Sequence, residues 1–421
     1  VKLRDYQKTG VKFLLNNKRA LLGDDMGLGK TIQTVDALRR LGSNKTLIVC
    51  PSAVAYSWRS TLEKWGNKRW SVHIVSAEVE TVPDANVVIC SYHLLNSPMI
   101  YDQLNKRWSV VICDEAHFLK NPQAQRAAKM LKPKGIASKS IYFWGLSGTI
   151  QPSNPLDMYL LLSTLFRKSL GSYYKYESYI RRFCGAYRTT LGWRFGKPKN
   201  VEQLGEIIRP FHLRRLKEEV LSELPPKSLT VRWVQASGEL QKNQEWQEMI
   251  AKVDEKKISL GLTLDEMTEE RKLSALDKVG AVGEYIETIN DKVVVFCWHR
   301  EIVETLHDKF PNSVKYYGGI TPKAKEISKQ KFINDPDCKY FFANISSAGT
   351  GLDGLQFAAY RCVFVEIPWG FAELYQAIDR LHRMGQNMPV MADVFALESP
   401  IDKYMIQCIS KKHKTFLELT V

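Results

Sequence analysis

Cysteine is sparse in this chain of 421 residues: there are eight, and no two form a C-x-x-C pair. That argues against a zinc site and against a disulfide framework, and for a reducing compartment. Cys50, Cys90, Cys113 and Cys297 each end or lie inside an apolar run and read as buried, reduced thiols. No apolar stretch approaches the ~18 residues that a membrane span needs, so no membrane partner is expected. There is no repeat at solenoid period and no low-complexity tract, which sets aside repeat arrays and disordered tails. The opening residues, Val1-Lys2-Leu3-Arg4, do not resemble a secretory signal. No methionine opens the chain, which leaves room for a preceding segment. Negative charge is also short: 45 Asp and Glu stand against 60 Lys and Arg, for a net +15. Such an excess points to a polyanionic partner, nucleic acid being the commonest. A basic surface kept for solubility is the plainer alternative.

What is present is enough for two domains. The length exceeds one ordinary core, and 44% hydrophobic residues suit packed globular structure. In the first half, short apolar runs at Thr46–Cys50, Val72–Val75, Val87–Cys90, Val110–Cys113 and Ile141–Leu146 are apolar throughout, as in parallel strands covered on both faces. Helical periods lie between them, such as Ile32–Leu41 with Gly42 as its stop. From about 156 to 216 the strands are expected to give way to an aromatic, basic helical insertion, and Pro225-Pro226 marks a boundary. A second series follows at Val293–Cys297, Val314–Tyr317, Tyr340–Ala343, Cys362–Glu366 and Val390–Phe395, after a charged helical stretch from Trp246 to Ile289. The expectation is α/β, with lobes at 1–224 and 225–421, parallel sheets, and helical insertions at about 156–216 and 240–289.

Three stretches carry chemistry. Gly23-Asp24-Asp25-Met26-Gly27-Leu28-Gly29-Lys30-Thr31 sits between an apolar run, Ala20–Leu22, and an amphipathic one. A glycine loop there turns backbone N–H groups toward a phosphate at a helix N-terminus. Lys30 would reach the terminal phosphates and the Thr31 hydroxyl would ligate Mg²⁺. The strict pattern fails at Asp24, where the first glycine belongs, so a glycine-rich turn with a solvated lysine stays open on the loop alone. Asp114-Glu115-Ala116-His117 follows the strand Val110–Cys113. Its first carboxylate can hold Mg²⁺, partly through water, and its second can orient and deprotonate an attacking water. Near the C-terminus, Gln376, Arg380 and Arg383 would share a helix face, where two arginines can meet charge on a transferring phosphoryl group. A solvated helix face is the alternative for that pair taken by itself.

Taken in order, these motifs and their neighbours resemble the Snf-type ATPases of helicase superfamily two, over essentially the whole chain. Leu3-Arg4-Asp5-Tyr6-Gln7 resembles the family's opening motif, whose glutamine reads adenine. An acidic residue at the position of Asp24 is routine in that family. Leu47–Pro51 with Trp58, Cys90-Ser91-Tyr92, and Leu146-Ser147-Gly148-Thr149 resemble the motifs that follow. Leu213-Arg214-Arg215-Leu216-Lys217, running to Lys227, is similar to a stretch that separates Snf-type proteins from ordinary helicases. Ser347–Leu352 and Gln376–Gln386 resemble the last two motifs. Arg182-Phe183-Cys184, Gly192-Trp193 and the short insertions resemble the HARP-like annealing helicases most. Two departures stand out: Ile150 where a proline usually follows Gly-Thr, and Asp353–Gln356, which lengthens the segment after Gly351.

The resemblance implies two RecA-like lobes with an ATP cleft between them. Catalysis would fall to Lys30, Asp114, Glu115, Gln376, Arg380 and Arg383. ATP would be held by Arg4, Gln7, Asp25, Met26, Gly27, Leu28, Gly29, Lys30, Thr31, Gly351, Arg380 and Arg383. Mg²⁺ would be held by Thr31 and Asp114, and DNA contacts would come from Ser91, Tyr92, Ser347 and Thr350. The implied activity is ATP hydrolysis that moves a monomer along duplex or forked DNA, independent of sequence, in the cytoplasm of a bacterium or infected host cell, or in a nucleus. Phosphate tracking of this kind weakens steeply with salt. A strand-separating helicase and a nucleotide-gated DNA-binding scaffold are the rivals. The aromatic residues from Tyr173 to Phe183 are read as packing rather than base stacking.

Overall fold

Apolar runs of four or five residues, too short for helices and too apolar for exposed strands, become central strands in parallel sheets. The computed structural model describes residues 3–418 apart from 79, 149–154, 191, 255–258, 261–262, 349–351 and 369. It divides into two compact units, Val1–Ser222 and Glu223–Val421.

The strands of unit 1 are β1 (Arg19–Leu22), β2 (Thr46–Cys50), β3 (Val72–Ile74), β4 (Val87–Ser91), β5 (Trp108–Asp114), β6 (Ser140–Leu146), β7 (Ala186–Thr189), β8 (Gly192–Phe195) and β9 (His212–Leu213). Seven of them form one sheet in the order β3-β4-β2-β5-β6-β1-β9, every pair parallel. Successive residues point to opposite faces. Leu47, Val49, Val111, Cys113 and Phe143 enter one core, and Ile48, Cys50, Val110, Ile112 and Trp144 the other. That is why the runs lack polar alternation. Helices α1 (Asp5–Asn16), α2 (Lys30–Leu41) and α3 (Ala55–Trp65) add Leu14, Val35, Leu38 and Trp58 to the second of these cores. Gly42 stops α2 in the left-handed region (φ 66°), where it costs little.

The stretch from 156 to 216 departs from expectation. It holds helices, but also the antiparallel hairpin β7–β8 and the strand β9, which pairs with the outer edge of β1. Neither has an apolar run: β7 and β8 read Ala-Tyr-Arg-Thr and Gly-Trp-Arg-Phe, and β9 is two residues held by backbone pairing. The packing reading of Tyr173–Phe183 does hold for Tyr179 and Phe183, both fully buried, the Tyr179 hydroxyl donating to the Pro155 carbonyl at 2.8 Å.

Unit 2 carries β10 (Lys227–Val234), β11 (Val253–Asp254), β12 (Ser259–Leu260), β13 (Val293–Cys297), β14 (Ser313–Tyr316), β15 (Tyr340–Asn344), β16 (Arg361–Phe364) and β17 (Val390–Leu397). Six are parallel in the order β10-β17-β16-β13-β15-β14. β10 was not expected. It is an edge strand with alternating polar residues just after Pro225-Pro226, and it matches β17 over eight residues. The charged helical stretch is likewise interrupted, by the small hairpin β11–β12, before the 24-residue helix Leu264–Glu287.

Candidate active site

Register fixes the site of unit 1. Leu22 of β1 and Asp114 of β5 both align with Leu146 of β6. The glycine loop, the acidic pair and Ser147 therefore leave neighbouring strands at one level, at the carboxyl ends where open parallel sheets bind ligands.

The loop itself is tied down from several sides. Gly27 and Gly29 hold φ 84° and 76°, left-handed values that favour glycine, and Gly29 caps α2. Asp24 is wholly buried, not solvated. Its Oδ1 accepts from Arg215 Nε at 2.8 Å, its Oδ2 accepts from Arg215 Nη2 and from Gln33 Nε2 at 3.0 Å. Arg215 also donates to the Tyr6 carbonyl and to Gln33 Oε1. Asp24 is therefore the acidic half of a buried fork-to-carboxylate pair, whose basic half comes from just beyond β9. On the opposite side of the loop, the Leu28 carbonyl accepts from Gln7 Nε2 at 3.2 Å, from Gln33 Nε2 at 3.1 Å and from Tyr6 at 3.3 Å. The Gln7 Oε1 accepts from the Arg4 backbone at 3.1 Å. Arg4 lines, with Leu3, Asp5, Tyr6, Lys8 and Val220, a cavity of about 490 Å³. The Lys30 ammonium donates to the Asp24 and Asp25 carbonyls at 2.7 and 3.3 Å. Asp25, Met26 and Thr31 are half-buried around it, and Asp25 Oδ2 accepts from the Lys217 backbone at 3.4 Å.

The acidic pair is just as constrained. Asp114 Oδ2 accepts from the Trp58 indole at 2.7 Å, and Oδ1 from the Glu115 backbone at 3.0 Å. Burial, then the neighbouring Glu115 charge, pushes the Asp114 carboxyl up to about 6, against the opposing pull of Trp58 and Lys30. Glu115 sits at φ 50°, a left-handed conformation that non-glycine residues adopt at a cost. His117 Nδ1 lies 3.2 Å from Glu115 Oε2 and 3.1 Å from Ser147 Oγ, so one imidazole joins the second carboxylate to the segment after β6.

Tyr92 needs a correction. Expected as a DNA contact, it is only 3% exposed. Its hydroxyl donates to the Asp114 carbonyl at 2.8 Å and its ring stacks on Phe118 at 5.4 Å. It is a strut under the acidic pair, because β4 ends with this side chain turned into the core. Ser91, at the end of β4, is half-buried.

In unit 2 the helix carrying Gln376 spans Phe371–Ile378 and ends there. Arg380 and Arg383 do not continue its face. The chain leaves the helix in tight turns, with Arg380 N on the Ala377 carbonyl at 3.1 Å and Gln386 N on the Arg383 carbonyl at 3.0 Å, and Gly385 takes φ 94°. The turn nevertheless aims both guanidinium groups at one carboxylate. Asp353 Oδ1 pairs with Arg383 and lies 3.6 Å from Arg380 Nη1. Those two charges hold the Asp353 carboxyl down to about 2. The Gln386 amide pins the turn to the segment after Asp353, donating to the Gln356 and Ala359 carbonyls at 3.2 and 3.0 Å. Ser347 lies in the short helix Ile345–Ala348, its N–H on Asn344 Oδ1 at 3.3 Å. Thr149, Ile150, Thr350 and Gly351 lie outside the described residues.

Sequence reasoning missed three partners: Arg215 for Asp24, the His117 bridge, and Asp353 for the arginines. A carboxylate in place of a loop glycine was the available signal for the first, since a buried charge requires a counter-charge.

A glycine phosphate loop after the first strand of a parallel sheet, an acidic pair after a neighbouring strand and an arginine pair in a second α/β unit define a helicase-type P-loop protein. A family profile described as SNF2-related domain matches residues 6–279, and one described as helicase conserved C-terminal domain matches residues 274–385. The chain belongs to the SNF2 family. It is 30% identical over 443 residues to the DNA annealing helicase and endonuclease ZRANB3 of Mus musculus, covering 98% of this chain and 40% of that protein. It is 29% identical over 440 residues to the SWI/SNF-related matrix-associated actin-dependent regulator of chromatin subfamily A-like protein 1 of Bos taurus, covering 99% and 44%. The chain thus spans less than half the length of these curated relatives. A solved Sulfolobus solfataricus SWI2/SNF2 ATPase core in complex with dsDNA aligns with 94% of this chain and 88% of its own, at 24% identity and TM-score 0.47.

Proposed function

We propose that this chain is a DNA-dependent ATPase that translocates along duplex or branched DNA and brings separated strands back together. The observation that carries the hydrolytic part is the His117 bridge, which joins Glu115 to Ser147 at the mouth of the phosphate loop. Family membership and the relative named as a DNA annealing helicase support the DNA part.

In this reading, loop N–H groups and the N-terminus of α2 bind the phosphates, and Lys30 turns from loop carbonyls to phosphate oxygens. The donors fit Mg²⁺. Thr31 offers a hydroxyl and Asp114 a carboxylate already fixed by Trp58, and the raised proton affinity of Asp114 marks a place where a cation relieves crowding of negative charge. When bound, Mg²⁺ would neutralise charge on the β- and γ-phosphates. Glu115 orients the attacking water and takes its proton, and His117 fixes the angle of that carboxylate. Arg380 and Arg383 meet the charge on the departing phosphoryl group. Gln7 holds the loop in place, its amide donating to the Leu28 carbonyl. The protein acts in a reducing compartment as a monomer.

The test is phosphate release with no DNA and with single-stranded, duplex and forked oligonucleotides at one salt concentration. Duplex and fork should stimulate turnover, and Glu115→Gln should bind ATP while losing roughly 10²–10⁴ in rate. Turnover that ignores DNA would overturn the reading. Release of a strand from a tailed duplex, in place of reannealing, would move the protein to the strand-separating class.

A further inference from the structure

The hairpin β7–β8 contributes none of the residues of the phosphate loop or the acidic pair, and it is largely exposed. Residues opposite each other across an antiparallel pair share a side. Ala186 opposite Phe195 and Arg188 opposite Trp193 lie on one side, where Ala186 and Trp193 pack on the core of unit 1 while Arg188 and Phe195 stay exposed, Phe195 at 44%. Tyr187 and Arg194, also directly opposed, lie on the other side. Tyr187 is 57% exposed, and Arg194 is exposed directly opposite it across the pair.

The base of the hairpin is rigid. Gly196 donates to the Gly185 carbonyl at 3.2 Å, Lys199 to the Phe183 carbonyl at 2.9 Å, and the Asn200 amide to the Arg182 carbonyl at 2.8 Å. Gly185 takes φ 59°, and a side chain there would collide with the Lys197 carbonyl. The Arg181 guanidinium lies over the Trp193 ring at 4.8 Å, bracing it from the helix before. Charge on this segment is one-sided. Residues 178–201 contain Arg181, Arg182, Arg188, Arg194, Lys197 and Lys199 and no Asp or Glu, so two-fifths of the chain's net +15 sits in 24 residues.

We propose that β7–β8 is a binding surface for unpaired nucleotides of DNA, with Tyr187 stacking on a base and Arg194 holding the adjoining phosphate. A ring beside a guanidinium on a pre-ordered, acid-free hairpin meets both needs of single-strand binding, a stacking platform and a positive track. Duplex DNA offers no free base to the ring and would engage only the charge. On the DNA-translocase reading, on which this inference rests, the hairpin would let the protein distinguish a branch from plain duplex.

The experiment measures binding of ATP-free full chain to fluorescent single-stranded, duplex and forked oligonucleotides with equal numbers of phosphates, at one salt concentration. Tyr187→Ala should weaken single-stranded and forked binding about fivefold or more, as loss of one stacked base does, and leave duplex binding within about twofold. Tyr187→Phe should bind like the wild type, because the ring is kept. Arg194→Ala should weaken binding to all three and lower the salt slope by about one. Equal affinity of Tyr187→Ala and wild type for the fork, or equal losses on fork and duplex, would overturn the proposal. Duplex-stimulated ATPase, read in the same preparations, tests the translocase reading separately. A wild type without it defeats that reading, whereas normal stimulation with an unselective hairpin defeats only this one.

Discussion

The phosphate loop of unit 1 is moored by a buried ion pair, with Asp24 wholly inaccessible and Arg215 11% exposed, while the arginine pair of unit 2 leans on Asp353, whose side chain is 55% exposed. Both are Arg–Asp contacts at a family motif, but they differ in kind. A buried carboxylate stripped of its cation is left uncompensated, so the Asp24 pair binds architecture and chemistry together. An exposed carboxylate is readily rehydrated, so Asp353 can release its arginines to another anion at little cost to the fold. The guanidinium groups themselves are similarly shielded, Arg380 at 12% and Arg383 at 15%, so the contrast lies in the carboxylate each set of arginines faces.

Four changes sharpen or break that contrast. The largest effect is expected at the arginines. Arg380→Ala and Arg383→Ala should each lower turnover by about 10³-fold or more, the scale of an arginine that meets transferring phosphate, with thermal midpoints nearly unchanged. Single-turnover phosphate release and calorimetry check this, and a large drop in midpoint would give the arginines a structural role. Next, Arg215→Ala should destabilise unit 1 by about 3–5 kcal/mol in denaturant unfolding and weaken ATP binding with it. A stable, inactive variant would mean that the pair serves chemistry alone. Asp353→Asn should cost at most about 1 kcal/mol in stability and change turnover about tenfold or less; a loss like that of Arg215→Ala would erase the contrast.

The smallest effect lies in unit 2. Glu270 is fully buried, its Oε1 accepting from Ser274 at 2.5 Å. Burial first, then the charge of Asp402, raises its carboxyl from 4.5 to about 7. The folded state therefore keeps a proton that the unfolded state has lost. Stability from this group is full below pH 4.5 and falls as pH rises to about 7. Glu270→Gln should flatten that slope and raise the midpoint at pH 8, as melting curves from pH 5 to 8 would show.

Much of this was legible beforehand because parallel strands buried on both faces must be apolar throughout. Thr46–Cys50 and Val293–Cys297 were located to the residue for that reason. β10 and β7–β8 escaped because strands with an exposed face carry arginine, serine and lysine and mimic loops. The loop, the acidic pair and the arginines were visible as motifs, since chemistry fixes their identity and spacing. Their supports were not. Nothing local in the sequence ties Asp24 to Arg215, or turns Tyr92 inward, because those contacts are made only after distant strands have paired. The helix expected to carry Arg380 and Arg383 stops at Ile378 for a related reason, since the turn that replaces it is held by Gln386 on the carbonyls of Gln356 and Ala359, a contact no local pattern announces.

The pairing of Asp24 with a partner 191 residues away also has a meaning in time. A ribosome adding about 5–20 residues per second takes roughly 10–40 s to travel from one to the other. Over that interval the emerging glycine loop carries an unneutralised carboxylate and lacks the strand that closes its sheet edge. The second unit repeats the arrangement, with Arg232 waiting for Asp393, 161 residues later, at 2.7 Å in the finished fold. Each of these two pairs closes only after the later of its residues has been made, so the buried carboxylate of Asp24 and the strand pair β10–β17 are both completed late in the synthesis of their own unit.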